Sequence, residues 1–169
     1  MKRITGLLVF SLILMGTQLV QAQKFGFVNS AALLTELPEV KAADSELNVL
    51  QNQLKKKGEE MVTAFQQKYA ELATKEKNGE YSPKQLEMES QKLKDDEAKI
   101  TQFEQESTQA MSKKREELLQ PILDKVNKAI NDVAKESGYA YVFDASTNVL
   151  LYADPSADVT ALVKKKLGL

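Results

Sequence analysis

The chain has 169 residues, with 23 Lys and Arg against 24 Asp and Glu, and it contains no cysteine, histidine or tryptophan. The lack of histidine and cysteine excludes histidine-based catalytic triads and metal sites built on either residue, and it leaves no disulfide to stabilise the fold. The near-neutral charge does not favour binding to nucleic acid or to an acidic membrane surface.

The first 22 residues have the pattern of a secretory signal peptide. Lys2 and Arg3 precede an apolar run over residues 4–15, and a polar stretch follows that ends in a small residue at Ala22. A transmembrane anchor is the competing interpretation, but a bilayer needs about 20 apolar residues and this run is shorter. We expect cleavage before Gln23. The mature chain then has 21 basic and 24 acidic residues, a net charge of −3.

A short strand and a short helix are predicted directly after the signal peptide. Phe25 and Phe27 lie on one face of a strand that begins at residue 24. Asn29 is placed to cap a helix that carries Leu33, and Pro38 interrupts that helix before the next element begins.

Residues 39–120 are predicted to form two long helical arms. The apolar residues of the first arm recur in an eleven-residue repeat, which is typical of a straight or slightly right-handed helix. Ser82 and Pro83 provide an N-cap and a first helical residue for the second arm. The stripe residues are Leu47, Leu50, Leu54, Gly58, Met61, Phe65, Tyr69 and Leu72 in the first arm, and Leu86, Leu93, Ile100, Phe103 and Met111 in the second.

The two arms are predicted to pair as an antiparallel hairpin that turns at residues 80–81. Facing positions then have numbers that add to about 161, a condition that places Met61 opposite Ile100. The same condition places Gly58 opposite Phe103, a small residue against a large one. The apolar residues of both arms satisfy this pairing.

Three side chains on the arms are predicted to contact a binding partner. Phe65 faces acidic residues and is expected to have no partner within its own hairpin, Tyr81 lies at the bend, and Met88 lies off the apolar stripe. Methionine and aromatic side chains adapt to varied partners, and together these three suggest a surface for non-specific apolar contact. Packing between the arms is the alternative explanation for each residue singly.

The C-terminal part is predicted to complete a small body with the N-terminal strand and helix. The second arm is expected to end near Pro121, and a separate helix follows that Gly138 terminates. Residues 139–144 and 149–152 are predicted to form a β-hairpin. A last helix follows, capped by Asp158 or Asp154, with lysines 164–166 in its final turn.

This body, residues 24–37 and 122–169, is too small to cover its own strands. Chains of about 60 residues bury a marginal fraction of their surface, and apolar residues occupy both faces of the predicted strands. We therefore expect the body to be an oligomerisation domain. Its candidate interface residues are Phe25, Phe27, Tyr141, Phe143 and Leu151.

No catalytic or cofactor site is predicted. Asp95, Asp96 and Glu97 are consecutive helical residues and point about 100° apart, so they cannot converge on one ion. The lysine-rich runs at 55–57 and 113–115 are followed at once by glutamates, which indicates an alternating-charge helical surface. No glycine-rich phosphate loop is present, and Ser30 and Ser146 have no base to activate them. We expect no cofactor, no metal and no enzymatic activity.

Several segments together resemble the Skp (OmpH-like) periplasmic chaperone family. They are KFGFVNS, LPEVKAADSEL, two long polar arms, PILDKVNKAI, GYAYVFD and LLYADPSADVTALVKKKL. The resemblance covers essentially all of the mature chain, and residues 138–167 are its most specific part.

The resemblance implies an α+β, mostly helical fold in which a long antiparallel hairpin, or tentacle, stands on a small β-containing trimerisation body. It further implies a periplasmic homotrimer that holds unfolded outer-membrane proteins in a cavity between the arms, without ATP. One feature departs from the best-known members, whose arms are strongly basic. Residues 39–120 here carry 14 Lys and Arg against 17 Asp and Glu, which leaves contact with lipopolysaccharide or anionic lipid open.

Two functions of different classes therefore follow from the sequence. The first is a holdase chaperone for unfolded outer-membrane proteins. The second is a structural coiled-coil spacer or adaptor of the cell envelope, which would be expected to have continuously apolar arm seams and a body with an anchor. The second arm has a thin apolar stripe and no anchor is visible, so the chaperone is favoured over the spacer.

Overall fold

The computed structural model describes residues 23–147 and 149–169, so the predicted signal peptide at residues 1–22 lies outside the described residues. Two long helices form an antiparallel hairpin on a small body, which confirms the mostly helical α+β fold. In chain order the elements are β1 (Lys24–Val28), α1 (Ser30–Glu36), α2 (Pro38–Lys77), α3 (Pro83–Glu136), β2 (Tyr139–Asp144) and α4 (Thr160–Leu167), with 3-10 turns at Ala145–Thr147 and Pro155–Ala157.

The helices begin where the sequence places their caps. The Asn29 side chain accepts a hydrogen bond from the backbone N–H of Ala32 at 2.9 Å, at the start of α1. Ser82 and Gln85 form a reciprocal capping box at the start of α3, with Pro83 as the first helical residue. These contacts satisfy backbone donors that the first turn of a helix leaves unpaired, so the predicted starts are confirmed.

The predicted pairing of the arms is also confirmed. A Cβ atom added to Gly58 would lie 3.6 Å from Cε1 of Phe103, which places these two positions opposite each other. Near the body, Lys114 of α3 pairs with Glu46 of α2 at 2.9 Å. The hairpin therefore has the register that the apolar stripes predict.

The second arm does not end at Pro121, and this prediction was wrong. α3 runs without interruption for 54 residues, from the tip of the arm into the body, with Pro121 inside it. A proline in a helix interior removes one hydrogen bond and costs about 3 kcal/mol. Ile122 and Val126, directly after Pro121, are buried in the body, and their packing offsets that cost. Arm and body are therefore joined by one continuous helix.

The sheet of the body consists of two parallel strands, with Phe25 opposite Tyr141 and Phe27 opposite Phe143. Gly26 is required here because a Cβ atom would lie 2.9 Å from the Tyr139 ring. On the other side of β1, the carbonyl of Phe27 accepts a hydrogen bond from the backbone N–H of Val159 at 2.9 Å. The outer edge of β1 is thus partly covered by its own chain.

The predicted strand at residues 149–152 does not form, so the predicted hairpin was wrong. The chain instead forms a turn after β2, where the Asp144 carboxylate accepts a hydrogen bond from the backbone N–H of Ser146 at 2.9 Å. The Thr147 hydroxyl donates to the backbone carbonyl of Asp144, also at 2.9 Å. Such local side-chain bonds compete with a sheet ladder, and here they produce a 3-10 turn that directs the chain away from β2.

The predicted end at Gly138 is correct, whereas the N-cap of α4 is Val159 and not the predicted Asp158 or Asp154. Gly138 adopts a left-handed conformation, φ +68°, just beyond the end of α3. The Asp158 carboxylate accepts the backbone N–H of Thr160 at 2.8 Å at the start of α4, whereas Asp154 caps the preceding 3-10 turn. The lysines at 164–166 lie in the last turn of α4, where they complement the helix dipole.

One apolar core holds the body together, and it is assembled from both ends of the chain. α1 and the start of α2 pack against the C-terminal third of α3 and against α4. The core residues are Val28, Leu33, Leu37, Ala43, Ile122, Val126, Ala129, Val133, Val159 and Val163. The base of the hairpin is thus the best packed region of the chain that the structure describes.

We predict that Leu33→Ala destabilises the protein by about 2–5 kcal/mol, because a fully buried leucine leaves a cavity when truncated. Val62→Ala on the partly exposed surface of α2 is the matched control and should cost well under 1 kcal/mol. Urea unfolding followed by circular dichroism measures both. Equal effects of the two substitutions would show that the core does not govern stability.

Candidate functional site

The predicted client residue Phe65 is half-buried, and it has a partner within its own helix. Its ring lies 6.4 Å from that of Tyr69, one turn further along α2, with an angle of 32° between the planes. The expectation that Phe65 lacks a partner within the hairpin was therefore wrong. The reason is that residues four apart on a helix are neighbours, which the comparison between facing arms did not consider.

Tyr81 is held at the tip rather than free in solvent. Its hydroxyl accepts a hydrogen bond from Nζ of Lys75 at 3.1 Å, and the same ammonium lies 5.2 Å from the centre of the Tyr81 ring. Lys75 also donates to Glu71 at 2.5 Å. The hydrogen bond to Glu71, followed by that to Tyr81, raises the pKa of the Lys75 ammonium. The tip is thus a small structured cluster.

Met88 is the most exposed of the three predicted residues, with 54% of its surface accessible. Sequence reasoning missed other exposed apolar side chains on the first arm, namely Val49, Val62 and Tyr69. The two valines lie off the apolar stripe and could have been found by that criterion. Tyr69 lies on the stripe and is nevertheless 62% exposed, so no sequence pattern distinguishes it from its buried neighbours.

Phe65 and Tyr81 border two adjacent surface hollows of about 340 and 350 Å³. Leu72 and Leu93 line both hollows. Phe65 and Tyr81 border different hollows and Met88 borders neither, so the structure does not gather the three predicted residues at one site.

The basic runs on the arms are largely neutralised by neighbouring carboxylates. Lys55 and Lys56 approach the glutamates four residues further along α2, at 3.8 and 4.0 Å. Across the arms, Lys68 donates to Asp96 at 2.6 Å, and hydrogen bonds from Lys68 and then Lys99 hold the pKa of Asp96 below its usual value. The alternating-charge surface predicted from the sequence is therefore present.

An aromatic patch covers the exposed face of the sheet. The rings of Phe25, Tyr141 and Phe143 are stacked, with centroids 5.7–6.4 Å apart, and each side chain is about half exposed. Phe27 is half-buried. Leu151 does not stack with these rings and is 97% exposed. Four of the five predicted body residues thus lie on β1 and β2, and the fifth lies on the irregular segment that follows.

A cluster of hydroxyl and carboxyl groups joins the N-terminus of α1 to the end of β2. The Ser30 hydroxyl donates to Asp144 at 2.5 Å and lies 3.1 Å from the Ser146 hydroxyl. Burial raises the pKa of Asp144, but hydrogen bonds from Ser30 and Ser146 outweigh burial and leave the pKa below 3.8. An ionised carboxylate that only accepts hydrogen bonds makes this cluster a structural link.

The described part of the chain shows neither a metal site nor a membrane-spanning helix. Within residues 23–147 and 149–169, no group of three or more acidic side chains is arranged to hold a metal ion. None of the described helices combines the length and the apolar character that crossing a membrane requires. The candidate functional surfaces are therefore the exposed apolar side chains of the arms and the aromatic patch of the body.

Both the sequence and the fold match known proteins. The profile of the family described as outer membrane protein (OmpH-like) matches residues 24–167. The chaperone protein Skp of Yersinia enterocolitica is 29% identical over 153 residues, which cover 88% of each chain. The crystal structure of an OmpH-like outer membrane chaperone from Caulobacter crescentus superposes with a TM-score of 0.73 at 18% identity, over 90% of this chain and 88% of that one.

We predict that Asp144→Asn destabilises the body by about 1 kcal/mol at pH 7, because partly buried donors lose a charged acceptor. The folded pKa of Asp144 is lowered, so its contribution is present above the unfolded value near 3.8 and is lost as pH falls through the folded value. Urea unfolding at pH 7 and at pH 3 should therefore show a smaller difference at pH 3. Asp95→Asn, on the exposed face of α3, is the control and should change little at either pH.

Proposed function

The chain belongs to the OmpH-like outer membrane protein family, and on that premise we propose that it is a periplasmic holdase chaperone for unfolded outer-membrane proteins. The observation that carries the proposal is the hairpin itself. Helices of 40 and 54 residues present exposed aromatic, aliphatic and methionine side chains on an otherwise polar, charge-balanced surface. Such a surface suits weak contact with many sequences better than recognition of one.

The holding activity is proposed to be independent of ATP. The seven glycines of the chain form neither of the two common phosphate-binding loop patterns. Release of a client then depends on the affinity of many weak contacts rather than on nucleotide hydrolysis. A client that begins to fold withdraws its apolar side chains from those contacts and leaves.

The working form is proposed to be a homotrimer assembled through the body. The patch of Phe25, Tyr141 and Phe143 does not belong to the apolar core of the single chain. Val149 and Tyr152, which follow β2 in the sequence, are 79% and 83% exposed. Large contiguous apolar patches on a soluble protein mark interaction sites. Burying this patch against a neighbouring copy also stabilises a sheet that is marginal with only two strands.

The contact between copies is proposed to include strand addition. Within the described residues, the outer edge of β1 is occupied by residues 158–159, whereas β2 has no partner on its other side. The segment 149–152 has the apolar and aromatic composition of a strand, yet it pairs with none of the described residues. In the trimer, this segment of one copy would lie along the free edge of β2 in the next copy.

We predict that Leu151→Glu breaks the trimer, because it places a charge in the proposed contact between copies. Analytical ultracentrifugation of the mature protein should show a trimer for the natural sequence and monomers for the variant. Val49→Glu, an equally drastic change at an exposed position on the arm, should leave the trimer intact. A trimer that persists in Leu151→Glu would reject this surface as the interface.

We predict that client affinity is dispersed over the arms. Each exposed side chain contributes about 1 kcal/mol from partial burial, which is about fivefold in affinity. Phe65→Ser alone should therefore raise the dissociation constant for an unfolded β-barrel membrane protein about fivefold. The triple change with Tyr81→Ser and Met88→Ser should raise it about a hundredfold, because such weak contacts add within one cavity.

Light scattering of the diluted client, without ATP, checks the holding activity in parallel with the dissociation constant. Serine at the exposed glutamines 66, 105 and 109 provides a triple control of matched size and position. A natural protein that fails to suppress scattering would reject the holdase. Total loss of binding from Phe65→Ser alone would reject the dispersed mechanism.

A further inference from the structure

Gly58, in the middle of the first arm, is not explained by the packing of the arms. Glycine is the least favourable residue in a helix interior apart from proline. A Cβ atom at this position would lie 3.6 Å from the Phe103 ring, which is an ordinary van der Waals distance. Alanine would therefore fit between the arms, so close packing alone does not require glycine here.

That space is an open groove of about 670 Å³ on the seam between α2 and α3. Its volume lies within the range of roughly 300–1,000 Å³ that is common for ligand pockets. Leu54, Phe103 and Met111 supply apolar surface, and Gly58 leaves room above the Phe103 ring. The groove can therefore receive a large apolar side chain.

The charged residues around the groove determine which neighbours a bound apolar side chain can have. Arg115 borders the groove and forms no ion pair within the described residues. Lys55 also borders it, but its ammonium lies 3.8 Å from Glu59. Glu104 is the one acidic side chain on the rim. Arg115 is therefore the cation at this point that is available to a carboxylate.

We propose that this groove is a docking site for an aromatic or long aliphatic side chain of an unfolded polypeptide, with a carboxylate on a neighbouring residue paired to Arg115. The proposal rests on the holdase function and locates one of its contacts. It gives the arm a preference for apolar residues beside acidic ones, in addition to the non-specific contacts elsewhere.

The test compares Gly58→Ala with Gly58→Leu in the mature trimer, using an unfolded β-barrel membrane protein as client. Both substitutions favour the helix, but only leucine fills the groove. Alanine should leave the dissociation constant unchanged and leucine should raise it about five- to tenfold. Equal values for the two variants would overturn the docking site, whether both are unchanged or both are weakened.

A peptide competition separates this proposal from the holdase function itself. Capped peptides with one phenylalanine followed by two aspartates should compete several-fold better than those followed by two lysines, and Arg115→Gln should remove the difference. No preference in the natural protein would overturn the role of Arg115. Failure of the natural protein to bind the unfolded client at all would reject the holdase and the groove together.

Photo-crosslinking keeps the test independent of the Gly58 variants. A crosslinker at Ser112, which borders the groove, should capture the client. One at Gln109, which is exposed on the same helix and does not border the groove, is the matched control and should capture several-fold less. Equal capture at the two positions would overturn the docking site.

Discussion

Packing of residues 122–136 of α3 against α1, β2 and α4 is the contact on which both halves of the molecule depend. The same helix is the second arm at one end and the centre of the body at the other, since it passes through Pro121 without a break. The direction of the arm is therefore set by how the body packs. A disturbance of the core reaches the tip through a rod of about 80 Å rather than through a hinge.

Few strong contacts hold the two arms together along their length. Most of their stripe residues are half-buried, and the ion pairs between them, such as Glu46 with Lys114, are solvent-exposed. Exposed pairs of this kind contribute about 0–1 kcal/mol each. The hairpin is consequently held firmly at the body and at the capped tip, and loosely between. A thin seam leaves apolar side chains available to a client, and a continuously packed seam would hide them.

Features that depend on neighbours along the chain were predictable from the sequence. The cap at Ser82 and the pairing of Gly58 with Phe103 follow from local chemistry and from a single periodicity. Features decided by tertiary contacts were not. The sequence predicts a helix end at Pro121 because the cost of a proline inside a helix is evident from the sequence. The burial of Ile122 and Val126, which offsets that cost, is evident only from the structure. Residues 149–152 read as a strand because their composition favours one, but the turn that prevents pairing depends on Asp144 and on bonds from α1.

The candidate functional surfaces were likewise predictable only in part from the sequence. The aromatic content of β1 and β2 indicated an interface, although only the structure shows that Phe25, Tyr141 and Phe143 form one stacked patch. The cover that Asp158 and its neighbour provide on the outer edge of β1 has a consequence for assembly. A sheet closed on one side grows in one direction, so the proposed contact joins two different surfaces, a donor and an acceptor. Such heterologous contacts form a ring when the rotation between copies closes, and a filament when it does not. A closed ring leaves no free donor or acceptor, and growth of the assembly then stops without any further device.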